Sequence, residues 1–390
     1  MKNEHTLDGF DLVCFSHLRW DFVYQRPQHL MSRFAKQMRV FFVEEAVFGA
    51  DNDHVVEEDT ADNVKRVIPH LHGAQETSDI DKRLQVLLSD YFASSDIEHY
   101  IFWYYTPLAL AFTDHFSPGV VIYDCMDEVS AFHFTPPYLK FFEIKLFARA
   151  DIVFTGGYSL YEAKRNLHPH VYCLPSSIDK EHFIKARRGI EDPLDQKSIA
   201  HPRVGYLGVI DERFDIELLE NVASLRPLWN FIIAGPMVKI DPWTLPENDN
   251  IHYLGPKRYD ELPAYIAGWD ITMIPFVLND STRFISPTKT PEYLAAGKPV
   301  ISTAIKDVDR PYGKKGLVHI IHTPEEFVRA AEEELARDGE KREEWLKQVD
   351  EFLSRQSWDR TWQVMIQIVH DALMANVESH GENFEGGIPV

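Results

Sequence analysis

In the stretch SPTKTPEYLAAGKPVIST, residues 286–303, a lysine, a glutamate and several small polar residues surround a predicted helix start. Those types at that spacing suit the binding of a phosphate ester carried by a sugar or nucleoside. The pattern predicts a polar loop, a short helix capped by Thr290 with Pro291 at its first position, a stop at Gly297 and a buried strand from Val300. The unpaired N–H groups of a helix start carry partial positive charge and favour an anion. Ser286, Pro287 and Thr288 would form the approach to it, and Lys289 adds a full charge. Glu292, in the first turn, would accept hydrogen bonds from a diol. The plainer alternative is an ordinary helix-to-strand connection in which Lys289 and Glu292 are solvated.

Three further groups have side chains suited to chemistry. The loop at residues 17–26 contains His17, Arg19, Trp20, Asp21, Tyr24 and Arg26. No GxGxxG sequence occurs there, as a dinucleotide site would want, and bulky polar groups are an odd choice for a connector. The loop therefore reads as a place for a second substrate, His17, Arg19, Trp20, Asp21 and Arg26 contacting it. Its alternative is a loop anchored by Trp20 and Tyr24 with paired surface charges. Past a predicted strand at 120–124 lie Asp124, Asp127 and Glu128, with His133 farther on. Neighbouring carboxylates can raise one another's pKa and supply a base, for which Asp127 is the choice; helix capping is the alternative. Lastly, Gly208 follows a predicted strand at 203–207 and would let a ligand approach the backbone, with Arg213 reaching a diphosphate.

Positioning such groups requires a scaffold of strands that end in loops. Apolar runs predict strands at 10–15, 39–43, 99–105, 120–124 and 151–155, then at 203–207, 228–234, 252–254 and 270–275. Helical patterns lie between them, at 80–92, 138–149 and 259–267 among others. This is the β-α alternation of doubly wound parallel sheets, where ligands gather at the carboxyl ends of strands. A chain of 390 residues makes two domains of ordinary size. We read 1–185 as the first, 186–202 as a polar linker and 203–356 as the second. A helix at 357–375 and a disordered tail at 376–390 follow, and 44–62 reads as an acidic, mobile loop.

The net charge of −21 argues against nucleic-acid binding, which wants a basic footprint. No apolar run approaches the roughly 20 residues of a membrane span, and the N-terminal residues do not read as a signal peptide. Three cysteines, Cys14, Cys125 and Cys173, read as thiols of a reducing cytoplasm. The HxH pairs His70/His72 and His168/His170 have no accompanying cluster, so no metal site is expected. The helix at 138–149 places Phe141 and Ile144 beside Lys140 and Lys145. A solvated face is the default reading, and peripheral contact with the inner membrane surface is the alternative.

SPTKTPEYLAAGKPVIS closely resembles the nucleotide-sugar-binding segment of GT-B glycosyltransferases, above all those similar to retaining glycosyltransferase family four. HLRWDFVYQRPQHL looks like the opening of a bacterial subgroup that includes teichuronic-acid-type, surface polysaccharide enzymes. The resemblance implies two Rossmann-like domains facing a cleft, a C-terminal helix returning to the first domain, and the acceptor at the 17–26 loop. It implies that Glu292 grips the ribose. Phe284 stands where the family usually has a first glutamate, with seven residues between the two. It further implies transfer of a sugar from a nucleotide diphosphate sugar, UDP-linked for preference, to a saccharide or glycolipid, with no metal and no further cofactor. Epimerisation of the nucleotide sugar on the same fold, or binding without catalysis, are the competing readings.

Overall fold

A computed structural model describes residues 7, 9–73, 79–128, 131, 136 and 138–381. Packing divides the chain into two units. One comprises Met1–Gly156, Leu160–Pro175 and Asp359–Val390; the other comprises Gly157–Ser159 and Ser176–Trp358.

The first unit contains β1 (Asp11–Phe15), β2 (Val40–Val43), β3 (Val47–Ala50), β4 (His54–Asp59), β5 (Lys65–His72), β6 (Tyr100–Tyr104), β7 (Val120–Cys125), β8 (Ile152–Thr155) and β9 (Val171–Cys173). Its sheet runs β3-β5-β2-β1-β6-β7-β8-β9, with β4 on β5. Leu12 is opposite Val40 on one side and Ile101 on the other, both pairings parallel. Every residue of β1, β2 and β7 is buried, which explains why these segments read as unbroken apolar runs: parallel strands covered on both faces have no polar side to show. The chain steps from β1 outward to β2 and β5, then returns to the other side of β1 for β6. The loops leaving β1 and β6 therefore diverge, and a crevice opens at that switch point.

The acidic segment 44–62 is not a loop. It contains β3 and β4, and β4 pairs antiparallel with β5 from His54 opposite His70 to Asp59 opposite Lys65. The acids are matched across the strands: Lys65 pairs with Glu57 and Asp59, and Arg66 with Glu58 at 2.7 Å. Opposite charges on facing strands stabilise the pairing.

The last helix, Trp358–Gly381, continues past Ala375, where the sequence pattern predicts its end. Met365, Ile366, Val369 and Leu373 are buried, and the Asn376 amide donates to the Gly119 carbonyl at 3.0 Å and to Asp151 at 3.2 Å. From Asp359 onward this helix belongs to the first unit.

The second unit contains β10 (Arg203–Leu207), β11 (Asn230–Ala234), β12 (Ile251–Gly255), β13 (Ile271–Ile274), β14 (Val300–Thr303) and β15 (His319–Ile321). Their order, β12-β11-β10-β13-β14-β15, is that of a Rossmann sheet. Here the switch point lies between β10 and β13. The residues expected to form a linker pack within this unit instead. Gln196 is buried, its amide donating to the Tyr265 carbonyl at 3.0 Å and accepting from the Trp269 indole at 3.0 Å. Arg203 holds Asp192 at 2.6 Å. A polar sequence with Pro signals reads as a linker because its buried partners lie far along the chain.

Candidate functional site

The loops leaving β10 and β13 supply the residues singled out in the second half of the sequence. Gly208 directly follows β10, and Lys289 opens the helix Lys289–Ala295 on the way from β13 to β14. The Lys289 ammonium lies 5.7 Å from the centroid of the Tyr206 ring and 5.8 Å from that of Phe276. It is close over Gly208, where a Cβ would come within 2.0 Å of Lys289 Cε and 2.6 Å of Nζ. Gly208 and Gly235, which follows β11, both have φ of +151°, and a Cβ on Gly235 would meet the Gly208 carbonyl oxygen at 1.9 Å. Only glycine fits this pair of strand ends. The two glycines thus let the Lys289 side chain and the neighbouring strand end approach the backbone closely, and they set a cation at this edge.

The helix is fixed in place at both ends. The Tyr293 hydroxyl accepts from the Leu207 N–H at 2.7 Å, tying the helix to the last residue of β10. At its C-terminus the Gly297 N–H reaches Leu294 at 2.9 Å and the Lys298 N–H reaches Tyr293 at 3.0 Å, with Gly297 at φ +76°. That is a Schellman motif, the stop that the sequence predicts at Gly297. The start differs from the prediction. The N-cap is Thr288, the first helical residue is Lys289, and Thr290 is buried inside the first turn. Pro291 is tolerated there because first-turn N–H groups lack helical partners anyway.

Glu292 is half-buried in that turn. Burial pushes its carboxyl up to about 8, against the opposing pull of the Lys289 charge. Burial likewise depresses Lys298 to about 8, its ammonium donating to the carbonyls of Ala267 and Trp269. Phe284, where the family resemblance leads one to expect a carboxylate, has the Arg283 guanidinium 5.3 Å from its ring centroid.

Arg213 lies in the loop after β10, which is laced to the loop after β13. The Asp215 N–H donates to the Pro275 carbonyl at 2.7 Å and the Val277 N–H to that of Arg213 at 2.9 Å. The Arg213 guanidinium grips Asp211, with Nε at 2.9 and 3.0 Å from the two carboxylate oxygens. A diphosphate contact at Arg213 therefore competes with an existing carboxylate. Ser286, Pro287 and Thr288 lie directly before the helix, with Pro287 buried and the other two half-buried.

In the first unit, most of the side chains expected to meet a second substrate are used by the fold. Arg26 is buried and forms a fork on Asp124, Nε at 2.9 Å and Nη2 at 2.9 Å, while Nη1 donates to the Leu174 carbonyl at 2.8 Å. This corrects the reading of Arg26 as an acceptor ligand: its donors brace β7. Trp20 is buried edge-on against Phe42, and its backbone N–H donates to the Glu44 carboxylate at 2.9 Å. It too belongs to the core. Arg19 pairs with Glu44 at 2.9 Å, and exposed Asp21 with Arg66 at 2.6 Å. His17 is half-buried. Asp127 is half-buried just beyond β7, its backbone carbonyl 3.6 Å from the Cys125 thiol. Glu128 pairs with Lys164 at 2.9 Å, and His133 lies outside the described residues.

The switch point of the first sheet instead holds a cavity of about 560 Å³, which the sequence reading missed. Phe15, Val43, Leu84, Leu108 and Phe112 are among its lining residues. In a sequence such residues look the same whether they fill a core or surround a space. Among the described residues no group of three or more His, Cys, Asp and Glu is placed to hold a metal ion. No helix among the described residues is long and apolar enough to cross a membrane.

Comparison with known proteins gives this geometry its setting. Residues 201–337 match the family model described as glycosyl transferases group 1. The chain is 27% identical over 291 residues to a putative teichuronic acid biosynthesis glycosyltransferase, TuaH, of Bacillus subtilis, covering 68% of this chain and 71% of that one. Its fold is similar to that of sucrose-phosphate synthase of Thermosynechococcus elongatus, with TM-score 0.68 and 14% identity over 94% of this chain and 100% of that one. Anabaena Alr3699/HepE, solved in complex with UDP and glucose, gives TM-score 0.68 and 12% identity over 93% of this chain and 100% of the other. Two Rossmann-like sheets, a group 1 domain on the second of them and these similarities make this chain a glycosyltransferase with the GT-B fold.

Proposed function

We propose that the enzyme transfers a sugar from a nucleoside diphosphate sugar, UDP-linked, to a saccharide or glycolipid acceptor in the synthesis of a bacterial surface polysaccharide. The observation that carries the donor half is the clustering of Gly208, Gly235, Lys289 and Glu292 at the switch point of the second sheet. The diphosphate would lie over the two glycines beside Lys289, with Ser286, Pro287 and Thr288 around it, and Arg213 would join by exchanging Asp211 for phosphate. Glu292 would take the ribose diol. The UDP complex of the Anabaena protein and the name of the Bacillus relative support the choices of base and product class.

Glycosyl transfer builds negative charge on the departing phosphate oxygen while the sugar becomes cation-like. Fixed cations aimed at that oxygen stabilise the transition state more than the ground state. Lys289 and Arg213 supply that charge from the chain itself, so we read the reaction as needing no resident metal or other cofactor. Asp127, at the carboxyl end of β7, is our candidate for the base that receives the acceptor proton. The reaction would take place in the cytoplasm. The helix Leu139–Arg149 exposes Phe141 and Ile144 between exposed Lys140 and Lys145, which supports peripheral contact with an anionic membrane surface.

Calorimetric titration of wild type and Glu292→Ala with UDP, GDP, ADP and dTDP, each with and without EDTA, tests the reading. Selective UDP binding that is insensitive to EDTA and weakened in the variant is expected. Absence of binding by all four diphosphates would overturn the donor site.

A further inference from the structure

Resting on that reading of the reaction, we propose that the cavity at the switch point of the first sheet holds the hydrocarbon chain of the acceptor, which makes the acceptor a lipid-linked saccharide. The cavity is of the size that takes a small organic ligand, and its wall is largely apolar. Three of the polar side chains in that wall, Glu44, Ser16 and Thr106, already accept hydrogen bonds from the fold. Glu44 accepts from Arg19, from Arg66 and from the Trp20 N–H, at 2.9, 3.1 and 2.9 Å. The Ser16 hydroxyl accepts from the Leu18 N–H at 3.0 Å, and that of Thr106 from the Leu108 N–H at 3.4 Å. A sugar ring seated there would lose its hydrogen bonds to water and find few replacements, which is costly.

Charge narrows the choice further. Among the described residues the lining includes three carboxylates, Glu44, Glu45 and Asp81, and neither lysine nor arginine. A phosphate or nucleotide inside it would be repelled. A neutral alkyl chain is disfavoured by neither argument and gains from leaving water. The wall also includes Tyr138 and Phe142, at and beside the start of the helix Leu139–Arg149. On the outside of that helix Phe141 is 56% and Ile144 64% exposed, and the Lys145 ammonium lies 4.7 Å from the Phe141 ring centroid. Aromatic, aliphatic and basic groups interleaved in this way match the boundary of an anionic bilayer. One helix thus presents a membrane-compatible face and contributes to the wall of a cavity suited to a chain drawn from that membrane.

The test uses the full chain and two soluble probes below micellar concentration, n-octyl β-D-glucoside and methyl β-D-glucoside, titrated calorimetrically. Octyl glucoside should bind and methyl glucoside should not. Ala111→Trp, which fills the cavity, and Leu108→Glu, which adds a charge to its wall, should each weaken octyl glucoside at least about tenfold while UDP affinity stays at the wild-type value. Because the cavity and the UDP site lie in different units, a near-UV circular dichroism spectrum and a melting transition like those of the wild type are required to show that the first unit of each variant is folded. Equal binding of the two glucosides, no binding of the octyl compound, or octyl binding indifferent to both substitutions would overturn the proposal. Octyl binding that follows the cavity variants in a protein that does not bind UDP would uphold the cavity assignment and sink the donor site instead.

Discussion

The two sheets share a strand order around their first strands, yet their switch points are furnished in opposite ways. In the second unit, β10 and β11 end in glycines, and the chain after β13 brings a lysine close over Gly208 and a half-buried glutamate. In the first, β1 and β6 lead to an apolar cavity, and the charged groups nearby are spent on one another. The same topology opens a crevice in both places. What fills the crevice is decided by loop residues, so one scaffold can serve an anionic donor at one site and an apolar group at the other.

The largest effect expected from breaking this contrast is on Arg26. If it braces β7, Arg26→Ala leaves Asp124 charged and buried and costs about 3–5 kcal/mol of stability. Chemical denaturation would show it. A variant with wild-type stability and impaired transfer would instead restore Arg26 to the acceptor site. Gly235→Ala should cost about 3 kcal/mol, because the added methyl meets the Gly208 carbonyl and the backbone must hold a conformation that L residues resist. UDP binding should fall with it.

Lys289→Ala should weaken UDP by about 1.5–3 kcal/mol, the range for a hydrogen bond to a charged group, and uridine hardly at all. Equal losses for both ligands would remove the lysine from the diphosphate. The last effect concerns pH. The native Glu292 carboxyl keeps its proton up to about 8, whereas the ordinary value is 4.5. The folded state therefore binds more protons between those values, and stability falls as pH rises through them. Glu292→Gln should flatten that slope between pH 5 and 8. An unchanged slope would mean that the carboxyl titrates normally.

Most of the scaffold is legible in the sequence because buried parallel strands announce themselves as apolar runs. The segment from Lys289 to Val300 is legible because its signals are local: Gly297 and Pro299 act within a few residues of where they stand. The loop at 17–26 is not, since its meaning depends on partners far away. Arg26 waits for Asp124, and Asp21 for Arg66. Seen alone, these residues look like free chemistry. The acidic stretch at 44–62 fails for the same reason, its cations lying in β5. A cavity has no local signature whatever.

The division of the chain has a consequence for biosynthesis. The second unit is nearly continuous, from Ser176 to Trp358, whereas the first is completed by residues from Asp359 onward. As the protein leaves the ribosome, the second sheet can assemble while the first still lacks the helix that covers Gly119 and packs against Phe34. Domains generally fold as their residues emerge, N-terminal ones first. Here that order is reversed: the sheet made first is the one finished last, and its exposed apolar surface is the natural client of a chaperone until the helix from Asp359 onward emerges.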